Sequence, residues 1–218
     1  MKKILLFYLF LLLPFLAFAS PVQIGNLFYE LSSTDKTAEV TSPAFEEGVT
    51  DIELVIPDKV TYDGVTYAVK KIRQSAFWGC RTITSLIISE GVESIGESAF
   101  GDCGSICSLT LPNSLKKIGD LAFFASSQLA SVIIPKNVEE IGCQAFNFNS
   151  MSSIVVNENN PYFDSRNNCN ALIETATNTL LTGCKNTVIP NTVTAIGDGA
   201  FSNCRFTSIK LPDNLKSI

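Results

Sequence analysis

Histidine is absent from the sequence, so cysteine is the main remaining residue type for a zinc site. Without histidine, Ser-His-Asp and Cys-His catalytic groups cannot form. The run CGSIC holds the one close pair of cysteines, Cys103 and Cys107, and no second close pair completes a four-cysteine site. The cysteines occupy positions 80, 103, 107, 143, 169, 184 and 204. We therefore expect neither a metal site nor a cofactor.

Carboxylates could supply acid–base chemistry, and Glu139 and Glu140 form the most conspicuous pair. A glycosidase needs two carboxylates that face each other across a cleft. This pair instead occupies variable positions of a repeat, which we expect to be exposed on a surface without a cleft. The runs GDG (197–199) and GDCG (101–104) lack the lysine of a phosphate-binding loop, and no DxDxDG calcium loop is present. These patterns predict a protein that is not an enzyme.

The charge balance limits the partners of the chain. Its 218 residues carry a net charge of −5, and the pI is about 4.8. Nucleic-acid binding needs a basic stripe, which the 16 Lys and Arg residues do not form. Hydrophobic residues make up 46% of the chain, which is enough for a substantial core. We predict a folded protein that binds no nucleic acid.

One short pattern recurs along the chain, with a period of 23 residues over four copies and a gap of 55 residues before a fifth copy. It contains an Ala-Phe pair, an isoleucine four residues before the alanine, and a valine or leucine three residues earlier. An x-L-x-L segment follows, often closed by a proline, which suits a strand end because proline cannot donate a ladder hydrogen bond. This period is typical of leucine-rich repeats. The repeated alanines are Ala76, Ala99, Ala122, Ala145 and Ala200.

A unit of this size cannot bury its own apolar face, so the units must stack. We predict a mainly β, right-handed leucine-rich-repeat solenoid with a parallel sheet on one face and short strand or 3-10 segments on the other. The Ile, Ala and Phe of the IGxxAF segment should point inward, and its glycine predicts a positive φ or a tight backbone contact. In the strands, alternation predicts the inward pairs Leu86/Ile88, Leu109/Leu111, Val132/Ile134, Ile154/Val156 and Ile209/Leu211.

Four residues past each repeated alanine stands a small residue with a polar atom. We interpret these residues as a buried ladder that bonds to the turn backbone. A redox or metal role would not be shared by serine and asparagine, whereas disulfides between stacked neighbours remain open. Whether Cys169 and Cys184, which flank a predicted hairpin, are bridged also remains open. The ladder residues are Cys80, Cys103, Ser126, Asn149 and Cys204.

The chain divides into three parts. Residues 1–19 combine two lysines, an apolar run and a small-x-small site, which predicts a cleaved signal peptide, export, and no membrane span in the mature chain. Residues 20–50 are expected to form an N-terminal β cap. Residues 51–218 hold the repeats, interrupted by an expected protruding hairpin at 157–187. The last repeat is cut short at Ile218, so we expect the chain to be C-terminally incomplete.

The frame IPxxVxxIGxxAFxxCxxLxxI and the segment NNPYFDSRNNCNALIETATNTLLTGC resemble the BspA-like, or treponemal-type, leucine-rich repeats over roughly residues 50–218. The resemblance implies an exported, often cell-surface protein that adheres to host proteins or to other microbes, and it implies no catalytic residues. Ser126 and Asn149 at the cysteine position depart from the frame, as does IRQSAF, which lacks the glycine.

The outer face of the parallel sheet is the remaining candidate site. Serine alternates there with β-branched residues, and almost no charge is present. Such a surface is suited to protein binding. The alternative is that solenoid strands simply favour β-branched residues and that serine is a neutral solvent-facing choice. The candidate partner-binding residues are Ser85, Ile87, Ser108, Thr110, Ser131, Ile133, Ser153, Val155, Ser208 and Lys210.

We therefore predict a secreted or cell-surface protein, located outside the cell or in the periplasm, that mediates adhesion. Its expected partner is an extracellular protein of the host matrix or of another cell's surface. Self-association through an open C-terminal end is a further expectation. The alternative is a passive spacer region of a longer surface protein.

Overall fold

The computed structural model describes residues 20–147, 150–204 and 206–218. The predicted signal peptide at 1–19 lies outside these residues. In the described part of the chain, no helix is long and apolar enough to cross a membrane. The secondary structure there consists of short strands and a 3-10 helix, Arg166–Asn168. The strands in chain order are β1 (Val22–Ile24), β2 (Leu27–Ser32), β3 (Thr37–Pro43), β4 (Ile52–Ile56), β5 (Lys59–Tyr62), β6 (Val65–Ile72), β7 (Ile83–Ile88), β8 (Ser94–Ile95), β9 (Ser108–Thr110), β10 (Lys117–Ile118), β11 (Ser131–Ile134), β12 (Glu140–Ile141), β13 (Ser153–Val156), β14 (Phe163–Asp164), β15 (Ala171–Glu174), β16 (Thr179–Gly183) and β17 (Ala195–Ile196).

Strands enclose the core on two sides, because a regular unit contributes one strand to each side. On the first side, β4, β7 and β9 form one parallel ladder, and β11 and β13 form a second. We call this side the strand face. On the other side, called the second face, the two-residue strands β8, β10 and β12 continue a parallel ladder from β6. The prediction of a mainly β repeat solenoid is confirmed.

The N-terminal segment extends the sheet of the second face. Strands β1, β2 and β3 pair in antiparallel order, and β3 then runs parallel to β6. The backbone turns from β5 into β6 at Asp63 and Gly64, whose φ angles are 48° and 75°, as an Asp-Gly hairpin signal predicts. Arg73 of the first repeat forms ion pairs with Glu30 of β2 and Glu39 of β3. This segment therefore covers a sheet edge that would otherwise be open.

A column of stacked phenylalanine rings fills the middle of the core. Phe77, Phe100, Phe123 and Phe146 have successive centroid distances of 4.9, 5.4 and 5.3 Å and interplanar angles of 5°, 6° and 5°. All four side chains are buried. These distances are slightly longer than the spacing of stacked strands, about 4.8 Å, as expected for parallel rings that are offset from one another. The predicted inward orientation of these residues is confirmed.

The glycine of the IGxxAF segment is needed for close packing between coils. A Cβ atom at Gly96, Gly119 or Gly142 would lie 2.4, 2.6 or 2.3 Å from a backbone nitrogen of the preceding coil. None of the three has a positive φ. Of the two predicted roles, the tight contact is confirmed and the positive φ is wrong. The left-handed backbone falls two residues later, at Ser75, Ser98, Leu121, Gln144 and Gly199, with φ between 54° and 64°.

The predicted ladder of small polar side chains is present in two consecutive coils. The Cys103 thiol donates to the carbonyl oxygen of Phe77 at 3.0 Å. The Ser126 hydroxyl donates to the carbonyl oxygen of Phe100 at 3.3 Å. Asn149 lies outside the described residues. The side chains thus satisfy carbonyl groups at buried turns, which would be costly to leave unpaired.

The cysteines of the described chain are free thiols. Cys169 and Cys184, for which a bridge was left open, are both buried, and their sulfur atoms donate to the carbonyl oxygens of Ala171 and Asn170. Cys204 bonds in the same way to a carbonyl oxygen of β16.

The variant unit after β13 packs into the stack. Strands β15 and β16 form an antiparallel hairpin, and β16 pairs in parallel with β17, which restores the ladder. Leu172, Ile173 and Leu180 of this hairpin are at most 1% exposed. The expected protrusion of the hairpin is therefore wrong, because its apolar side chains complete the core of neighbouring coils.

The last predicted strand does not form. Residues 207–211 carry no strand, although a parallel bridge between Ala195 and Ser217 keeps the following segment aligned. Leu211, expected to point inward, is 43% exposed, whereas Ile209 is half-buried. The inward prediction is wrong at Leu211, since the segment lacks the ladder bonds that would fix its side chains.

Candidate functional site

Alternation along the strands of the strand face sends every second side chain to solvent. In β7, buried residues alternate with the half-buried Ser85 and the exposed Ile87. Strand pairing then aligns equivalent residues, so that Ser85 lies opposite Ser108, and Ser131 lies opposite Ser153. These serines form a hydroxyl column that runs across the strands.

A second column beside the serines is mostly apolar. Val55 lies opposite Ile87, and Ile87 lies opposite Thr110. In the second ladder Ile133 lies opposite Val155. The exposed fractions of the apolar members run from 42% for Ile87 to 72% at the far end. We define the apolar stripe as Val55, Ile87, Thr110, Ile133, Val155 and Val188.

Three residues of this region were missed by the sequence prediction. Glu53 and Val55 are the outward residues of β4, and the alternation of the recognised segment IELVIP could have identified them. Val188, which is 72% exposed, stands two residues before Pro190, and Thr110 and Ile133 stand at the same distance before their repeat prolines. This spacing from the proline could have identified Val188 from the sequence.

Two predicted residues lie outside the ladders. Ser208 and Lys210 are exposed, but they fall in the segment 207–211, which forms no strand. The other eight predicted residues lie in β7, β9, β11 and β13, where they are exposed or half-buried. The structure therefore brings these eight together on one surface.

Charged side chains are concentrated on the second face. Glu93 bonds to Lys70 at 2.8 Å and to Lys116 at 2.9 Å, linking three successive coils. The bonds from Lys70 and Lys116 lower the pKa of the Glu93 carboxyl from its ordinary value. In contrast, the outward strand-face positions of β4, β7, β9, β11 and β13 carry one charge, at Glu53. The strand face thus offers apolar and hydroxyl groups to a partner.

Burial raises the pKa of several thiols above its ordinary value. It raises the pKa of Cys103 to about 12 and that of Cys204 to about 11. The thiolate is the form that acts as a nucleophile or metal ligand, so these side chains are suited to packing and backbone bonding. Within 20–147, 150–204 and 206–218, no group of three or more His, Cys, Asp or Glu residues is placed to hold a metal ion.

The repeats match a family model described as the BspA type leucine rich repeat region. The match comprises six copies and covers residues 60–173 and 178–218. The chain belongs to the BspA-type leucine-rich repeat family. No curated protein gives a significant match to this BspA-type chain.

Solved bacterial structures resemble this BspA-type chain. A leucine-rich repeat protein from Bacteroides capillosus is 27% identical with a TM-score of 0.55, and the match covers 63% of this chain and 99% of that one. A leucine-rich repeat protein from Bacteroides ovatus is 26% identical with a TM-score of 0.62, over 89% of this chain and 48% of that one. The BspA-type chain therefore spans about half of the Bacteroides ovatus protein. The leucine-rich repeat protein of T. pallidum, at 23% identity and a TM-score of 0.55 over 90% of this chain and 80% of that one, shows a common fold.

Proposed function

We propose that this chain is an exported protein that adheres to extracellular protein partners through the strand face. The apolar stripe is the observation that carries the proposal. Single exposed apolar side chains are common on soluble proteins, whereas contiguous exposed apolar surface is characteristic of interaction sites. Membership of a leucine-rich repeat family supports the proposal, because stacked repeats build extended binding surfaces.

The strand face is suited to binding because little of it must be ordered on contact. Its side chains are held on hydrogen-bonded ladders, and the χ1 angles of valine and isoleucine are restricted. Binding through a preformed surface loses less conformational entropy than binding through flexible loops. The serine column supplies hydrogen-bonding groups beside the apolar area, which is the composition of a typical interface. A partner surface should therefore combine apolar patches with polar groups.

Export rests on the signal peptide predicted at residues 1–19. The proposed partner is a protein of the host matrix or of another cell's surface, reached in the extracellular space. The proposed role requires recognition without a covalent step.

A pair of surface variants tests the strand face. The first carries Ile87→Lys and Ile133→Glu within the apolar stripe. The matched control carries Tyr62→Lys and Val49→Glu, which change exposed apolar residues elsewhere and leave the net charge equally unchanged. Surface plasmon resonance measures each protein, as residues 20–218, against a panel of purified matrix proteins and cell-surface proteins. Thermal unfolding confirms that both variants remain folded.

We expect at least one protein of the panel to bind the native chain and the control variant. The stripe variant should bind that protein roughly tenfold or more weakly, because charges are placed into the apolar centre of the interface. Equal binding by the folded stripe variant would contradict the proposed surface. Failure of the native chain to bind any protein of the panel would favour the passive spacer role instead.

A further inference from the structure

A backbone ladder joins successive coils on the second face. The amide of Gly119 donates to the carbonyl oxygen of Ile95 at 2.9 Å, and the amide of Glu139 donates to that of Lys116 at 2.8 Å. Equivalent bonds recur at each step from β6 to β12. Each coil thereby supplies acceptors for the next one.

This ladder stops at β12, which pairs with β10 on one side and ends the sheet on the other. By the periodicity of the ladder, the carbonyl groups of Glu139 and Ile141 should accept from the following coil. No residue of the described chain donates to either of them. A strand edge of this kind is a site at which another chain can pair.

In the following coil, the N–H groups of Tyr162 and Phe163 match the donors that Glu139 and Glu140 supply to the preceding coil. The side-chain oxygen of Asn160 accepts the N–H groups of Tyr162 and Phe163 at 2.8 and 2.9 Å, so these donors are already used. The coil therefore passes β12 without pairing, and the ladder resumes only at β16 and β17.

A groove of about 550 Å³ lies beside the unpaired edge. Ile141 and Gly142 contribute to it from β12 and the residue that follows, and Phe163, Glu174 and Leu181 contribute from the variant unit. The groove therefore offers a strand edge on one side and a partly apolar wall on the other. An extended segment of peptide has the form that fits both features.

The charges around the groove decide what kind of segment it would take. Five carboxylates line it, against one cation, Lys117, which is already bonded to Glu140. An acidic segment would be repelled, whereas lysine or arginine side chains would gain charge-assisted hydrogen bonds. The lining carboxylates belong to Glu97, Asp120, Glu139, Glu140 and Glu174.

We propose that this groove binds an extended, lysine- or arginine-rich segment of a partner protein. The segment adds as a strand to β12, and its backbone N–H groups donate to the carbonyl oxygens of Glu139 and Ile141. Its cationic side chains face the lining carboxylates. This site lies on the second face and does not depend on binding through the strand face.

Synthetic peptides provide the test. The probe is a fluorescently labelled eight-residue peptide of alternating lysine and threonine, and anisotropy measures its binding to residues 20–218. One comparison peptide replaces lysine with glutamate. Another keeps the lysines but carries N-methyl groups on alternate backbone nitrogens along one edge, which removes the donors for strand pairing. Because the carbonyls and the carboxylates both contribute, either change should weaken binding roughly tenfold or more.

Variants of the protein locate the site. Glu139→Lys with Glu174→Lys reverses two charges of the groove, and Glu46→Lys with Glu47→Lys makes the same change in an exposed loop. We expect the groove variant to lose at least roughly tenfold in affinity for the basic peptide and the loop variant to lose much less. Equal losses in the two variants, equal binding of acidic and basic peptides, or undiminished binding of the N-methylated peptide would each overturn the proposal.

Discussion

The rings of Phe100 and Phe123 stack with their centroids 5.4 Å apart and their planes 6° apart, although 23 residues separate them in the sequence. Each of these two rings thus packs between a ring of the next coil and a ring of the preceding coil. In such a column the stability of a coil depends mainly on its neighbours.

Removal of one ring should destabilise the whole described stack. We expect Phe100→Ala to lower the free energy of unfolding by about 3–5 kcal/mol, because a large cavity opens between two other rings. Urea unfolding followed by circular dichroism measures the change. Tyr62→Ala, at a partly exposed residue near a hairpin turn, serves as the control and should cost about 1 kcal/mol or less. Similar costs for the two variants would contradict the central role of the column.

The glycines of the repeat provide a matched pair of substitutions. Gly119→Ala places a Cβ atom 2.6 Å from a backbone nitrogen, so two coils must separate, and we expect a loss of about 1–3 kcal/mol. At Gly197 the nearest atom would lie at 3.4 Å, and Gly197→Ala should cost less than about 1 kcal/mol. Neither glycine has a positive φ, so the difference between the two stability losses should come from packing. Thermal unfolding measures both losses. A larger loss for Gly197→Ala than for Gly119→Ala would contradict the importance of the close contact at Gly119.

The bonds of Glu93 predict a pH-dependent contribution to stability. The pKa of this carboxyl is lowered in the folded protein, chiefly by the bond from Lys70 and then by that from Lys116. Its contribution is therefore present above the ordinary carboxyl pKa of about 4.3 and is lost as the pH falls through the lower folded value. Because the group is partly exposed, we expect Glu93→Gln to cost only about 0.5 kcal/mol at pH 7.

Unfolding curves between pH 2.5 and pH 7 test this prediction. The difference between the native chain and Glu93→Gln should shrink as the pH decreases. Glu47→Gln, in an exposed loop, is the control. A difference that grows in acid would have the wrong sign.

The thiols should differ sharply in reactivity. Cys107 and Cys143 are exposed, whereas Cys103 is buried and burial raises its pKa to about 12. We expect iodoacetamide at pH 8 to modify Cys107 and Cys143 in the native protein and to modify Cys103 only after denaturation. Mass spectrometry of peptide digests measures each rate. Modification of Cys103 as fast as Cys107 would contradict its burial in the turn ladder.

Periodicity in the sequence predicted those features that all the units share. The recurrence of isoleucine and of Ala-Phe predicted that these side chains point inward in every unit, and the structure places Ile118 beside Ile95 and Ile141 and stacks the phenylalanine rings. It also predicted the eight strand-face residues that the ladders bring together. These features depend on the burial of apolar side chains at the same position of every coil, so the sequence repeats apolar residues at that position.

Features that depend on one local bond could not be read from the repeat. The ladder ends at β12 where the side chain of Asn160 accepts the N–H groups of Tyr162 and Phe163. The left-handed backbone at Leu121 was missed because leucine carries no signal for a positive φ. Leu211 was misplaced because the repeat pattern alone does not specify whether a strand forms there.

The charged column Lys70, Glu93, Lys116 and Glu139 alternates in sign from coil to coil. Deletion of the coil that carries Glu93 would bring Lys70 against Lys116, and duplication of a single coil would oppose two like charges. Pairs of coils can be gained or lost without either conflict. The column therefore slightly favours the gain or loss of coils in pairs over the gain or loss of a single coil.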